Sequence, residues 1–207
     1  MIKPMPNPND QLPFARRGAD VTIWPMAKII SPETISLGDS VIIDDFVLVM
    51  GGRLMTIGSF IHIASFTSIT GGGEFALEDF ATLSSGIRIF TGTDDFLGNS
   101  MANSAVPYPY RQPERTFVRM KKHSIVGANS VILPGVTIGE GAAIGANSLV
   151  IKDCEPWTVY VGSPVRPLKL RRRERILELE DQLRHELYDA QGRYIAKSKR
   201  TPTVASA

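Results

Sequence analysis

Cysteine is nearly absent: Cys154 is the one cysteine in 207 residues. A disulfide framework is thereby excluded, and there is no CxxC pair to hold zinc. The usage fits a reducing compartment. Long apolar runs are missing too. Nothing approaches the roughly 18 apolar residues of a membrane span, and the opening MIKPMPNPNDQLPFARR has prolines but no apolar core, so neither a transmembrane segment nor a signal peptide is expected. The expected location is the cytoplasm. Charge of one sign is scarce, with 23 Lys and Arg against 21 Asp and Glu. That balance gives no reason to expect a nucleic-acid partner. What is present is ordinary soluble composition, 43% hydrophobic and 21% charged, in a chain long enough for one domain with appendages.

Helical and strand periodicities are also missing over most of the chain, and a period of six replaces them. Residues 126–155 divide into VGANSV, ILPGVT, IGEGAA, IGANSL and VIKDCE. Aliphatic residues recur at Val126, Ile132, Ile138, Ile144 and Val150, and small or β-branched ones at Ser130, Val136, Ala142 and Ser148. A helix needs spacings of three and four, and a plain strand needs alternation. Period six suits a coil of three short flat strands per turn, with one aliphatic residue per strand pointing into a narrow prism. Gly127, Gly139, Gly141, Gly145 and Asn147 then stand where the backbone turns with positive φ.

The N-terminal half repeats every twenty residues. Leu37, Ile57 and Leu77 share one register, Ile43, Ile63 and Leu83 a second, and Val49, Ile69 and Ile89 a third. Phe46 pairs in register with Phe66, and Phe60 with Phe80. Two steps of six are followed by a jump of eight, with glycines at 51–52 and 71–73, which implies a bulge at one corner of the prism. The fold class is therefore an all-β solenoid, a parallel β-helix. Residues 1–20 are expected to form an N-terminal arm, about 21–36 a capping coil, and 21–165 the β-helix as a whole. Segment 93–122 has no hexads and holds Pro107, Pro109 and Pro113, so it is expected to leave the coil as an extended loop. Residues 169–190, with Ile176, Leu179, Leu183 and Leu187 as an apolar stripe, predict an amphipathic helix within a C-terminal unit at 166–195. That helix is expected to cap the open end of the prism or to pack on a neighbouring subunit. The polar stretch 196–207 is expected to be a flexible tail.

The run 124–166, SIVGANSVILPGVTIGEGAAIGANSLVIKDCEPW followed by VGSPVR, resembles the hexapeptide-repeat acyltransferases of the galactoside, maltose and nodulation acetyltransferase group. The stretch RIFTGTDDFLGN is similar to acyltransferases that modify amino groups of nucleotide-linked deoxysugars, which carry a paired-Asp segment. The resemblance implies a left-handed helix, a homotrimer, and acetyl-CoA or another acyl-CoA as co-substrate, with no metal. Where galactoside-type enzymes have Gly-His-Pro and use its His as base, this chain has Gly92, Thr93 and Asp94.

Acyl transfer from a thioester needs a held nucleophile, a proton acceptor and donors for the oxyanion. Asp94 and Asp95, at the start of the loop, are candidates to bind an ammonium or hydroxyl, and Asp94 to accept a proton. His123, at the base of the loop, is a second candidate base, and the outward His62 a candidate for substrate binding. His185 is read as solvated. The resemblance carries donor binding onto Ala128, Ala146, Lys152, Arg166 and Lys169, with Ile151 where the family commonly has Thr; the rest of the basic run 171–173 is read as a solvated helix face. The expected activity is acyl transfer to an amino group of a sugar, in particular a nucleotide-linked aminodeoxysugar. The alternatives are O-acetylation of a sugar or polysaccharide, and a non-catalytic or metal-binding β-helix, for which three converging histidines would be required.

Overall fold

The computed structural model describes residues 7–200, and it is a triangular parallel β-helix with one α-helix laid along it. Strands of two to six residues stack into three faces. The first face runs from Arg16–Arg17 through Ile35–Leu37, Leu54–Ile57, Glu74–Leu77 and Phe117–Met120 to Val136–Ile138. The third runs from Lys28–Ile30 to Leu149–Val150. The second begins at Thr22–Ile23, continues to Ala143–Ile144, and ends in an antiparallel hairpin of Thr158–Gly162 and Val165–Leu170.

The period of six is the geometry of this prism. Leu37, Ile57, Leu77, Met120 and Ile138 lie in register on the first face. Ile43, Ile63, Leu83, Val126 and Ile144 do so on the second, and Val49, Ile69, Ile89, Ile132 and Val150 on the third. All are buried in one continuous core. Each such side chain is worth about 1.5–3 kcal/mol relative to exposure, and a polar residue in any row would interrupt the stack. Every aliphatic hexad position named above is thus a core position.

Several boundaries differ from expectation. The coil starts at Arg16–Arg17, inside the segment read as an arm. Residues 7–15 close the open end: Asn7 Nδ2 donates to Ile23 O at 2.6 Å, and buried Asn9 donates to Trp24 O at 2.9 Å and Ala27 O at 3.2 Å. The arm's residues 1–6 lie outside the described residues. The loop is shorter than 93–122, because Phe117–Met120 pairs in register with Glu74–Leu77. Val118 and Met120 are inward and fully buried, and Met120 stands one hexad before Val126; the charged Arg119, Lys121 and Lys122 around it disguise the repeat.

The C-terminal unit is corrected more substantially. Residues 165–170 are strand, and the helix is Glu174–Leu187. It does not cap the prism, and its apolar stripe is only partly covered: Leu179 is 46% exposed while Ile176, Leu183 and Leu187 are half-buried. Its buried residue is Glu180. The helix lies along the corner between the first and second faces, where Phe60, Phe80, His123 and Trp157 all adopt positive φ and their rings form a ladder. Phe60 and Phe80 stack at 4.9 Å, Phe80 and His123 at 5.1 Å, and Trp157 reaches His123 at 6.1 Å. The intervening corner residue has to be Gly141: a Cβ there would sit 2.3 Å from the Trp157 ring. Beyond the helix, Tyr194 Oη and the Lys197 N–H both donate to Asp20 Oδ2, at 3.0 and 2.7 Å. The segment is a strap running back along the corner to the first coil. Of the expected flexible tail, Lys197–Lys199 form a 3-10 turn and residues 201–207 lie outside the described residues. Among the described residues no helix is long and apolar enough to cross a membrane.

Candidate active site

The loop leaves from the corner between the third and first faces, the bulged corner that the glycines marked. Its neck is a short antiparallel pair, Gly92–Thr93 with Glu114–Arg115. Gly71 packs beneath that neck with φ 108, where a Cβ would lie 2.4 Å from Gly92 N, so the two backbones touch. The Arg115 guanidinium donates to Gly71 O and ties the neck to the coil below.

Asp94 and Asp95 come next and have different tasks. Asp95 Oδ1 accepts the Leu97 N–H at 2.7 Å and Oδ2 the Ser100 N–H at 2.6 Å. The Leu97 amide, against some desolvation and helped by Ser100, Asn99 and Gly98, holds its carboxyl below the usual range. Both oxygens are therefore occupied in shaping the turn. Asp94 Oδ2 accepts the Asn103 N–H at 3.1 Å, and Oδ1 lies 4.0 Å from Arg111. Its side chain is 32% exposed and opens onto a recess of about 420 Å³ that also involves Thr93, Phe96, Asn99, Gln112 and Glu114. Of the adjacent pair, Asp94 has the less committed carboxylate, accepting one backbone N–H against two for Asp95.

The structure does not bring the histidines to this recess. The His123 ring is buried in the aromatic ladder, with Nε2 at 2.7 Å from Glu180 Oε2. This is a packing role under the strap, set by the corner the residue occupies. His62 points outward from the second face and pairs with Asp44 Oδ2 at 3.1 Å. His185 is exposed on the helix, contacting Asp181 O at 2.8 Å. Cys154 is buried, and burial first, then Asp153 and Glu155, push its thiol up to about 11. Such a thiol is unsuited to carry an acyl group.

The residues assigned to the donor lie away from the loop's corner, at the second face and its junction with the third. Ala128 and Ala146 follow inward residues of the second face, at its corner with the third; the Ala128 carbonyl accepts the Asn147 N–H at 2.8 Å. At the levels of Ala128 and Ala146 this corner carries only small side chains and asparagine, as it does at Ser84, Ser85 and Gly86, and further down Phe66 and Phe46 occupy it. Arg166 and Lys169 are exposed on the hairpin strand Val165–Leu170, and Lys152 is exposed at the end of the last coil. Arg171 departs from the solvated reading of the basic run. It donates to His123 O at 2.8 Å and Gly141 O at 2.9 Å, linking strap to coil.

Residues 117–152 match the family described as bacterial transferase hexapeptide, six repeats. Over 171 residues the chain is 39% identical to the dTDP-4-amino-4,6-dideoxy-D-glucose acyltransferase of Escherichia coli, covering 82% of this chain and 88% of that protein. The chain belongs to the hexapeptide-repeat acyltransferases. This acyltransferase also shares its fold with AntD, an N-acyltransferase from Bacillus cereus solved in complex with dTDP and 3-hydroxybutyryl-CoA. The match has 42% identity and a TM-score of 0.77, and covers 82% of this chain and 89% of that one. A serine-to-alanine form of AntD solved with dTDP-4-amino-4,6-dideoxyglucose and coenzyme A matches at 42% identity, TM-score 0.76, over 82% and 90% of the two chains. The left-handed β-helix of these enzymes is the architecture of the present chain.

Sequence reasoning missed Arg111, Arg171 and Glu180. Each acts on a group far away in the chain, and none falls in a repeat register. The Ser84, Ser85, Gly86 step was visible only as a hexad without bulk.

Proposed function

We propose that this chain transfers an acyl group from a coenzyme A thioester to the amino group of a nucleotide-linked aminodeoxysugar of the dTDP-4-amino-4,6-dideoxyglucose type. The observation that carries this reading is the near full-length similarity to enzymes of that substrate class, joined to a loop that presents Asp94 where histidine-based relatives carry an imidazole. An ammonium substrate suits a carboxylate: Asp94 binds it, takes one proton, and releases a neutral amine. The amine nitrogen attacks the thioester carbonyl, the C–N bond forms and the C–S bond breaks. Coenzyme A departs as thiolate, which takes up the second proton shed by the acylated nitrogen, and Asp94 returns its own to solvent. Cys154 is buried and its thiol pushed up to about 11, so it takes no acyl group in this scheme.

The donor lies along the corner of Ala128 and Ala146, with Lys152, Arg166 and Lys169 meeting its phosphates. Ala146→Leu is expected to raise the acyl-CoA KM about 10-fold with kcat nearly unchanged, the signature of lost uniform binding; steady-state kinetics at saturating acceptor checks it. Asp95 shapes the loop, and His62 offers its ring to acceptor bound against a neighbouring copy. Exposed apolar surface supports such a copy. Phe46 and Phe66 stack at 5.2 Å while 50% and 58% exposed, and Phe96 and Leu97 on the loop are 90% and 89% exposed. Surfaces of this kind mark contacts, and the proposed assembly is the homotrimer, working in the cytoplasm where one unpaired cysteine stays reduced.

The test is thiol release from acetyl-CoA and 3-hydroxybutyryl-CoA with dTDP-4-amino-4,6-dideoxyglucose, against dTDP-glucose and free sugars. Turnover confined to the amine supports the proposal. Equal turnover on the hydroxyl compounds would replace it with O-acylation.

A further inference from the structure

Arg111 occupies an unusual position for a loop cation. Its side chain is only 12% exposed, its guanidinium lies 4.8 Å from the Tyr108 ring, and its Nε is buried with no hydrogen-bond partner. Burying a guanidinium is costly unless an anion compensates it. Among the described residues, the carboxylate within ion-pair reach is that of Asp94, Oδ1 at 4.0 Å. Arg111 and Asp94 together border a small recess of about 130 Å³ between the loop and the coil, floored by Gly71 and Gly92. Asp94 is therefore held from two sides, by the Asn103 amide on Oδ2 and by Arg111 facing Oδ1.

We infer that Arg111 is a positioning residue for Asp94, an inference that rests on the assignment of Asp94 to the acceptor amine. The guanidinium fixes the carboxylate torsion and so fixes the direction from which an ammonium is met, without touching substrate itself. The 4.0 Å separation closes to a hydrogen bond in the complex, as contacts of this kind tighten when the site is filled. Tyr108 holds the planar cation by its face, and the loop fold, not the sequence neighbourhood, brings the pair together.

The test compares Arg111→Ala, Arg111→Lys and Asp94→Asn in the full chain by thiol release with acetyl-CoA and dTDP-4-amino-4,6-dideoxyglucose. Arg111→Ala is expected to lower kcat about 10- to 100-fold, the scale of a misdirected reacting group, with the acetyl-CoA KM unchanged. Arg111→Lys, and guanidinium ion added to the alanine variant, are expected to restore part of the rate. Far-ultraviolet circular dichroism confirms that the coil is intact, and Arg111→Gln replaces the alanine variant if that one does not fold. A normal kcat with a raised acetyl-CoA KM overturns the inference. So does a loss that neither lysine nor guanidinium repairs. If Asp94→Asn turns over normally, the reading of Asp94 fails and this inference with it; if Asp94→Asn is inactive while Arg111→Ala is unaffected, only the inference fails.

Discussion

Asp94→Asn is expected to lower kcat about 10²- to 10⁴-fold, the usual contribution of a positioned proton acceptor. The substitution is nearly isosteric. The amide oxygen can still accept the Asn103 N–H, so the loop keeps its path, but the side chain can no longer take a proton or balance an ammonium. Two effects are lost together and separate by acceptor. Substrate binding weakens through the missing charge, raising the acceptor KM, and the chemical step slows through the missing base. The acyl-CoA KM should not move, because the residues proposed to bind the donor lie at another corner. An Asp95→Asn variant makes the contrast: its amide oxygen retains one of the two N–H contacts, and the expected result is a modest loss of stability with turnover retained. Turnover in Asp94→Asn within about threefold of wild type would leave proton removal to the leaving thiolate or to solvent.

The division between these neighbours shows what the amino-acid pattern can and cannot tell. The prism was readable because every inward position faces the same constraint: a side chain entering a narrow triangular core has to be aliphatic, and three faces repeat it every six residues. Ile63, Ile89 and Ile144 are buried for that reason. The register weakens where outward residues are charged, so the return of the chain at Val118 and Met120 was hidden by Arg119, Lys121 and Lys122. Asp94 and Asp95 stand adjacent and look equivalent in sequence. Only the turn that follows decides which of them spends its oxygens on backbone amides. The same limit applies to His123. Its position after the loop suggested chemistry, whereas its corner conformation sends the ring into the Phe80 and Trp157 ladder. The partner that completes that environment, Glu180, sits 57 residues further on and lies outside the apolar stripe that made the helix recognisable. A buried carboxylate on an otherwise charged helix has no periodic signature.

Glu180 carries the largest expected effect on stability. Burial by itself would raise its carboxyl, but hydrogen bonds from Lys122, Arg184 and His123 outweigh this and bring it from 4.5 down to about 2. Lys122 Nζ lies 2.6 Å from Oε1 and His123 Nε2 2.7 Å from Oε2, and Arg184 also reaches Asp79 at 3.6 Å. A shift of that size corresponds to about 3 kcal/mol of folding free energy. Lys122 and Arg184 are each about a third exposed, so water returns part of what Glu180→Ala removes, and the expected loss is about 2–3 kcal/mol in urea unfolding at pH 7. The sign with pH follows from a depressed folded value: the contribution is complete above about 4.5 and disappears as pH falls toward 2. The gap between wild type and Glu180→Gln should therefore be widest at neutral pH and close through that window. Hydrogen exchange in residues 174–200 should rise in the variant before it rises in the coil, because the strap loses its central contact while the aliphatic rows beneath it are untouched. A gap that stays constant from pH 6 to pH 3 would mean that the carboxylate does not hold the strap by its charge, leaving Arg171 on the His123 and Gly141 carbonyls as the principal attachment.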